Sequence, residues 1–393
     1  MSAMDPNADD PGQTAPAGMA ADTSNGDGDE AGLDPPEEGA TPLRRGWTTG
    51  ACATAAVKAA LQALLGGEPT DPVPVTLPAG GEAHFALATL IHGDGMVAAG
   101  VIKDAGDDPD VTHGALVTAE VSHGIPGTGI TFEAGEGVGI VTLPGLPLPP
   151  GEPAINPVPR QMMRRAVAEV TGRDDGDFVL RIGVENGRKL ALRTMNGRLG
   201  IIGGLSILGT TGIVIPFSCA AWIHSIHRGI DVACAAGLTH VAGATGDTSE
   251  KAVRALYGLS DQALIDMGDF VGGMLKYIRK HPVPRVTIAG GIAKMTKLGQ
   301  GMADLHSARG GVDRIWLADR MREAGGTLED CAVALAANTV VEAHEHAVAR
   351  GLLLADVIAA AARTTAVRLL ANQAVKLEVC IFDRAGRLIG RAA

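Results

Sequence analysis

The chain has 393 residues, with 33 Lys and Arg against 44 Asp and Glu, a net charge of −11, 46% hydrophobic residues and 3% aromatics. That length fits two or three domains, the apolar content excludes a wholly disordered chain, and so few aromatics argue against a single-strand nucleic-acid binder. The longest apolar stretches run to about a dozen residues, as in 212–223, which Pro216 interrupts, so none reaches the roughly 20 needed to cross a membrane.

The charge is unevenly placed. Asp5, Asp9, Asp10, Asp22, Asp27, Asp29, Glu30, Asp34, Glu37 and Glu38 fall in residues 1–40, which hold no Lys or Arg; removing these ten from −11 leaves −1 for the rest. Rich in Pro, Gly, Ala and Asp, residues 1–40 carry too few large apolar groups to offset the entropy of ordering, and read as a disordered acidic tail. No apolar run follows a basic start, so the segment is not a signal peptide. Cys52, Cys219, Cys234, Cys331 and Cys380 are odd in number, widely spaced and free of any C-x-x-C pair. Neither a disulfide framework nor a zinc site is expected, and the protein reads as reduced and cytoplasmic.

Order is expected from about Leu43. Thr48 or Thr49 can cap a helix over about 51–65, which Gly66-Gly67 stops. Strand-like runs follow at 73–77, 84–91, 96–102, 115–121, 130–132 and 139–143. Asn156-Pro157 then opens a helix to about Val170, followed by strands at 178–184 and 189–192. From Gly200 the rhythm changes to strand 213–215, helix 218–236, strand 239–242, helix 248–256, strand 263–267, helix 270–280 and strand 285–289. Three helical segments are expected within 312–372, then a last strand at 376–382. The fold class is therefore α/β: an N-terminal α+β domain over 41–200 with a mixed or antiparallel sheet, and a Rossmann-like α/β domain over 201–393 with a mainly parallel sheet.

The most informative loop is Gly203 to Gly212. Its Gly204–Thr211 frame matches a phosphate loop, but Thr210 stands where a nucleotidase needs Lys. Small residues, bare N–H groups and two hydroxyls still suit the close approach of a ligand, and the plain alternative is a tight turn between domains. Gly135-Glu136-Gly137-Val138-Gly139 precedes a strand rather than a helix, so it reads as a turn or bulge. Arg160 and Arg164 share a face of the helix opened by Asn156-Pro157, and Arg44 and Arg45 adjoin Thr48 and Thr49 at a helix start. Arginines beside helix N-termini suit carboxylates or phosphates; solvated basic faces are the alternative.

His344 and His346 point to opposite sides of a helix, and His224 and His227 lack a third ligand, so no metal site is expected. His306, in Asp304-Leu305-His306-Ser307, follows the Gly/Lys-rich segment 290–301 beyond a strand, where ligands gather in parallel sheets. No nucleophile elbow, H-E-x-x-H or paired-carboxylate signature is found.

Arg44–Gly50 with its Ala-rich helix, Gly137–Gly139 with Val141-Thr142 and Pro144–Leu146, Gly151–Arg160, Gly203–Gly212, Gly243–Glu250, Ile288–Leu298 and His306-Ser307 together resemble the CbiD family across about 43–390. Members of that family are cobalt-precorrin-5B C1-methyltransferases of cobalamin biosynthesis. The resemblance implies S-adenosyl-L-methionine as methyl donor and an anionic cobalt tetrapyrrole as acceptor, methylated at C1 to give cobalt-precorrin-6A. Cobalt enters only as part of the substrate. The acetates and propionates of such a macrocycle are matched by Arg44, Arg45, Arg160, Arg164 and Arg198, with Thr48 and Thr49 alongside. No standard methyltransferase glycine motif is present, so the donor is assigned to Gly203, Gly204, Gly209, Thr210, Thr211 and Gly212, with Thr245-Gly246 as a second wall. His306 is the expected catalytic helper and Asp304 its support. No nucleic acid or membrane partner is expected, and a homo-oligomer stays open. A non-enzymatic corrinoid-binding protein and a kinase-like phosphate binder are the competing readings.

Overall fold

The Ala-rich run after Thr48 forms the helix Thr49–Leu64. Thr48 caps it, its side-chain oxygen accepting the Ala51 N–H at 3.2 Å. Nearly the whole helix is buried, which only side chains as small as alanine permit when a helix and a sheet press on opposite sides. The helix Pro157–Thr171 packs along it. The computed structural model describes residues 42–173 and 176–393; the acidic tail read over 1–40 lies outside them.

Beneath the first helix lies a five-stranded sheet in the order Thr89–His92, Met96–Ile102, Leu116–His123, Phe178–Val184, Ile130–Ala134. The first four strands pair antiparallel and the last runs parallel to Phe178–Val184, so the sheet is mixed. The single strand expected over 84–91 is two. Glu82–Phe85 pairs with Val73–Thr76, and Thr89–His92 joins the main sheet. Between them the Asp71 carboxylate takes the Leu87 N–H while the Gly100 carbonyl takes that of Ala88, so the chain changes partners there. The strand expected over 189–192 lies instead in a short helix, Gly187–Ala191. Asn186, at φ 57, turns the chain, and its carbonyl accepts the N–H groups of Lys189 and Leu190.

The second half carries the mainly parallel sheet. Leu264–Asp266, His240–Ala244, Arg285–Gly291 and Lys376–Phe382 lie side by side in parallel, and the strand Leu388–Ala392, absent from the sequence reading, adds an antiparallel edge. Segment 290–301, read as a loop, contains the helix Ile292–Gly299; its Ile292, Met295 and Leu298 recur at helical spacing and are buried. Four helices rather than three follow: Arg314–Glu323, Leu328–Ala336, Val340–Ala349 and Leu354–Leu370. One of the breaks between them lies at 337–339, where Thr339 caps a new helix by accepting the Glu342 N–H.

Glycines join the two halves by backbone contact. Gly46–Trp47 pairs with Ile213–Val214, and Ile140–Val141 with Ile201–Ile202. Leu205 and Ile207 are buried in the N-terminal core. Gly137 is a close backbone crossing. Its carbonyl accepts the Leu205 N–H at 2.8 Å, and a Cβ on Gly204 would lie 2.3 Å from that same oxygen. Gly204→Ala is therefore expected to destabilise the fold by about 1–3 kcal/mol, the usual range for overpacking; a lowered denaturant midpoint measures it, and an unchanged midpoint refutes the crossing as a constraint.

Candidate active site

His240–Ala244 has a strand on each side that follows it in sequence. Successive connections therefore diverge from it, which opens a crevice outside its C-terminal end. Two turns line this crevice, Thr245-Gly246 and Gly290-Gly291. Gly246 opens the helix Asp247–Tyr257 and Gly291 opens Ile292–Gly299, neither with a side-chain cap. A Cβ added to Gly246 or Gly291 would meet open space. Two helix N-termini thus present uncapped N–H groups to an open crevice, an arrangement that suits a carboxylate or another polar anion. Gly290 differs, because a Cβ there would lie 2.9 Å from the Thr245 hydroxyl. The Thr245 N–H on the Ala289 carbonyl at 3.0 Å ties one turn to the other.

Lys294 extends the lock. Its ammonium donates to the Thr245 carbonyl at 2.9 Å and pairs with Asp269 at 3.0 Å. The Asp269 carbonyl in turn accepts the Leu305 N–H at 2.9 Å, and Lys297 donates to the Leu305 carbonyl. Asp304 and His306 are thereby held at the same edge as Thr245 and Gly246. The exposed His306 accepts the Ala308 N–H at Nδ1, so its neutral form carries the proton on Nε2. Asp304 accepts the His306 backbone N–H at 3.0 Å, so it orients the chain rather than the ring.

Arg198 reaches the crevice but is engaged. It makes a two-pronged ion pair with the buried Glu250 at 2.7 and 2.5 Å. Asp266 lies beyond it, and both line a small cleft with Ser225 and Gly229. Burial, and then the nearby Glu250 charge, push the Asp266 carboxyl above its ordinary range, against the pull of Arg198.

The Gly203–Gly212 loop sits at the N-terminus of the first helix. Thr48 donates its N–H to the Gly212 carbonyl, and Thr49 exchanges hydrogen bonds with Leu208 through its hydroxyl. A Cβ on Gly209 would strike Thr48, and one on Gly212 would strike Leu77. Packing accounts for Gly204, Gly209 and Gly212 without a ligand. Gly203 and Thr210 are exposed, and Thr211 bonds back to Ile213.

Among the acceptor candidates, Arg160 bonds Glu152 and the carbonyls of Ile155 and Pro153, while Arg164 bonds the Ile130 carbonyl. Both guanidinium groups lie about 5 Å from the Phe132 ring centre. Arg44 pairs with Asp104 and by that hydrogen bond holds its carboxyl down at about 2. Arg45 is exposed, and Arg45 and Arg164 make no ion pair among the described residues. Sequence reasoning missed Lys294, Asp266, Asp269 and Glu250. Lys294 lay inside a segment singled out for its Gly and Lys, and Asp266 and Asp269 close a strand that was expected.

Two family models match the chain: CbiD over residues 36–216 and CbiD, C-terminal domain, over 304–393. Among curated relatives, the cobalt-precorrin-5B C(1)-methyltransferase of Methylorubrum extorquens is 63% identical, covering 88% of this chain and 97% of its own. Those of a Bradyrhizobium strain and of Agrobacterium fabrum are 60% and 61% identical over 89% of this chain, with 94% and 93% of their own lengths covered. A crystal structure of a cobalamin biosynthesis protein from Archaeoglobus fulgidus aligns at 27% identity and a TM-score of 0.37, covering 72% of this chain and 85% of that one. The chain belongs to the CbiD family. Among the described residues, no helix is long and apolar enough to cross a membrane.

The raised Asp266 carboxyl has a thermodynamic consequence. The folded state holds its proton after the unfolded chain has released it, so its contribution to stability is lost as pH rises from the ordinary 3.8 through the raised value. Asp266→Asn is expected to remove that decline, flattening the denaturant midpoint across weakly acidic pH. A wild-type slope in the variant refutes the assignment.

Proposed function

We propose that this chain is an S-adenosylmethionine-dependent methyltransferase that acts on cobalt-precorrin-5B at C1, in the cytoplasm. The observation that carries the reaction is the 63% identity to the Methylorubrum enzyme along nearly its whole length. The methyl donor is assigned to the crevice at the strand ends. S-adenosylmethionine supplies an electrophilic methyl group there when bound. The N–H groups after Gly246 and Gly291 would hold its carboxylate, and Lys294 keeps the two turns at fixed separation.

The acceptor carboxylates are assigned to Arg45 and Arg164, which have charge to spare, with Arg44 and Arg160 already partly spent on Asp104 and Glu152. Arg198, on Glu250, is taken as a structural strut. His306, with its proton on Nε2, is placed to pass a proton as the ring carbon changes its bonding. Methyl transfer from a sulfonium to carbon depends on alignment more than on a strong acid or base. A phosphate-binding reading finds little support in a Gly203–Gly212 loop in which Gly204, Gly209 and Gly212 are taken up by packing and Thr210 stands where the lysine is needed.

Three outcomes are expected of the full chain. Gly246→Val should keep its melting temperature, since φ 163 is extended backbone that any residue adopts, yet lose S-adenosylhomocysteine affinity by at least about tenfold in calorimetric titration. Arg45→Ala and Arg164→Ala should weaken acceptor binding by about 10–150-fold, the equivalent of a lost charge-assisted hydrogen bond, and leave donor affinity intact. His306→Ala should slow single-turnover methylation by about 10–10⁴-fold. Wild-type protein that forms no methylated corrinoid with both ligands present refutes the reaction, and wild-type affinities in the first two variants refute the site assignment.

A further inference from the structure

Aromatic side chains are scarce here, with 6 Phe, 3 Trp and 2 Tyr. All are described, and only Phe217 and Trp222 are exposed. Burying such rings is among the largest apolar gains a chain can make. Leaving a tryptophan 46% exposed is therefore informative when its position is also specific.

The position of Trp222 is specific. It lies in the first turns of the helix Cys219–Ala235, and its indole N–H donates to the Asp266 carbonyl at 3.0 Å, at the C-terminal end of the strand Leu264–Asp266. That bond fixes the ring plane. The ring rests over Gly268, where an added Cβ would lie 3.3 Å from it, and Gly268 is held at φ 52. Gly268 donates its N–H to the Ala244 carbonyl, one residue before the Thr245-Gly246 turn. The Phe270 ring lies tilted against it at 6.4 Å between ring centres. The half-exposed indole is thus tied to the strand end next to the Thr245-Gly246 turn, through the Asp266 carbonyl and through Gly268, whose N–H lies on Ala244.

We propose that Trp222 is the stacking wall for the adenine ring of the methyl donor. This rests on the assignment of donor binding to the strand-end crevice. The surrounding charge selects the donor over the acceptor. The carboxylates along this edge already hold cations: Asp247 pairs with Lys251, Glu250 with Arg198 and Asp269 with Lys294, and the Asp266 side chain lines the small cleft beside Arg198. With Lys251, Arg198 and Lys294 already paired, a macrocycle bearing several carboxylates finds no spare cation among them. An adenosine with hydroxyl and amino donors, attached to a sulfonium cation, is matched by this edge.

The test is fluorescence and calorimetric titration of the full chain with S-adenosylhomocysteine, for wild type, Trp222→Phe and Trp222→Leu. Binding should quench wild-type tryptophan emission, and the quench should vanish in Trp222→Phe while affinity stays within about fivefold. Trp222→Leu should lose affinity by about 5–150-fold, the usual worth of one aromatic–base stack, with its melting temperature within a few degrees of wild type. A quench that persists in Trp222→Phe, wild-type affinity in Trp222→Leu, or loss of corrinoid affinity with donor affinity kept overturns the stacking wall alone. Wild-type protein that binds no donor overturns the wall and the donor assignment together.

Discussion

The architecture depends on one close backbone crossing. At Gly137 the chain passes within bare-backbone distance of Gly187 and Gly204, and it binds Leu205 through its carbonyl. A side chain at any of the three would hold the strands apart. The crossing lays residues 201–214 along the N-terminal core, where Leu205 and Ile207 are buried. It also brings the preceding segment to the second sheet: Asn196 bonds the Gly204 carbonyl, and two residues later Arg198 reaches Glu250 on the helix after Gly246. Glycines that look like a ligand motif in sequence thus connect the first sheet to the crevice of the second by packing alone.

That explains what was legible in the sequence and what was not. The buried Ala-rich helix, the mixed first sheet and the parallel second sheet follow from periodicity and turn residues, which act locally. The edge strand Leu388–Ala392 did not, because its pairing with Lys376–Phe382 depends on a short turn stabilised by the Asp383 side chain, whose carboxylate accepts the Ala385 and Arg387 N–H groups. The helix Ile292–Gly299 was hidden by the glycines on either side of it. Of the residues in the candidate site, Thr245-Gly246 and His306 could be named in advance because strand-end position is readable from sequence. Lys294, Asp269 and Glu250 could not, because their meaning lies in partners that are distant along the chain. Arg198 shows the same limit from the other side. An arginine suited to a substrate carboxylate is indistinguishable in sequence from one suited to Glu250.

The second sheet keeps its charge in two separate places. Toward the N-terminal ends of its strands, Glu378 is buried yet held below the usual carboxylate range, because bonds from Tyr257, Arg391 and Arg285 outweigh the effect of burial. That cluster is closed, with cations and hydroxyl directed at one carboxylate, and it stiffens the sheet without leaving charge for a ligand. At the opposite ends, Asp266 is pushed the other way by burial and by Glu250, and the helix N-termini are left uncapped. The same strands therefore carry a satisfied polar cluster at one end and an unsatisfied one at the other, and only the second offers anything to a bound molecule.

The open end is also stiffer than its exposed loops imply. Thr245 is tied to Ala289, Lys294 to Thr245 and Asp269, and Asp269 to Leu305. Together the ties link the segments at 245, 269, 289–294 and 305, so none of them can shift without breaking a bond to another. Group transfer between two bound molecules gains most from holding them at fixed distance and angle, and loses rate steeply when a contact is misplaced by about an ångström. On the proposed assignment, a crevice held by such tethers contributes alignment more than acid–base power. The chemistry is left to the reactants, and the fold contributes the geometry.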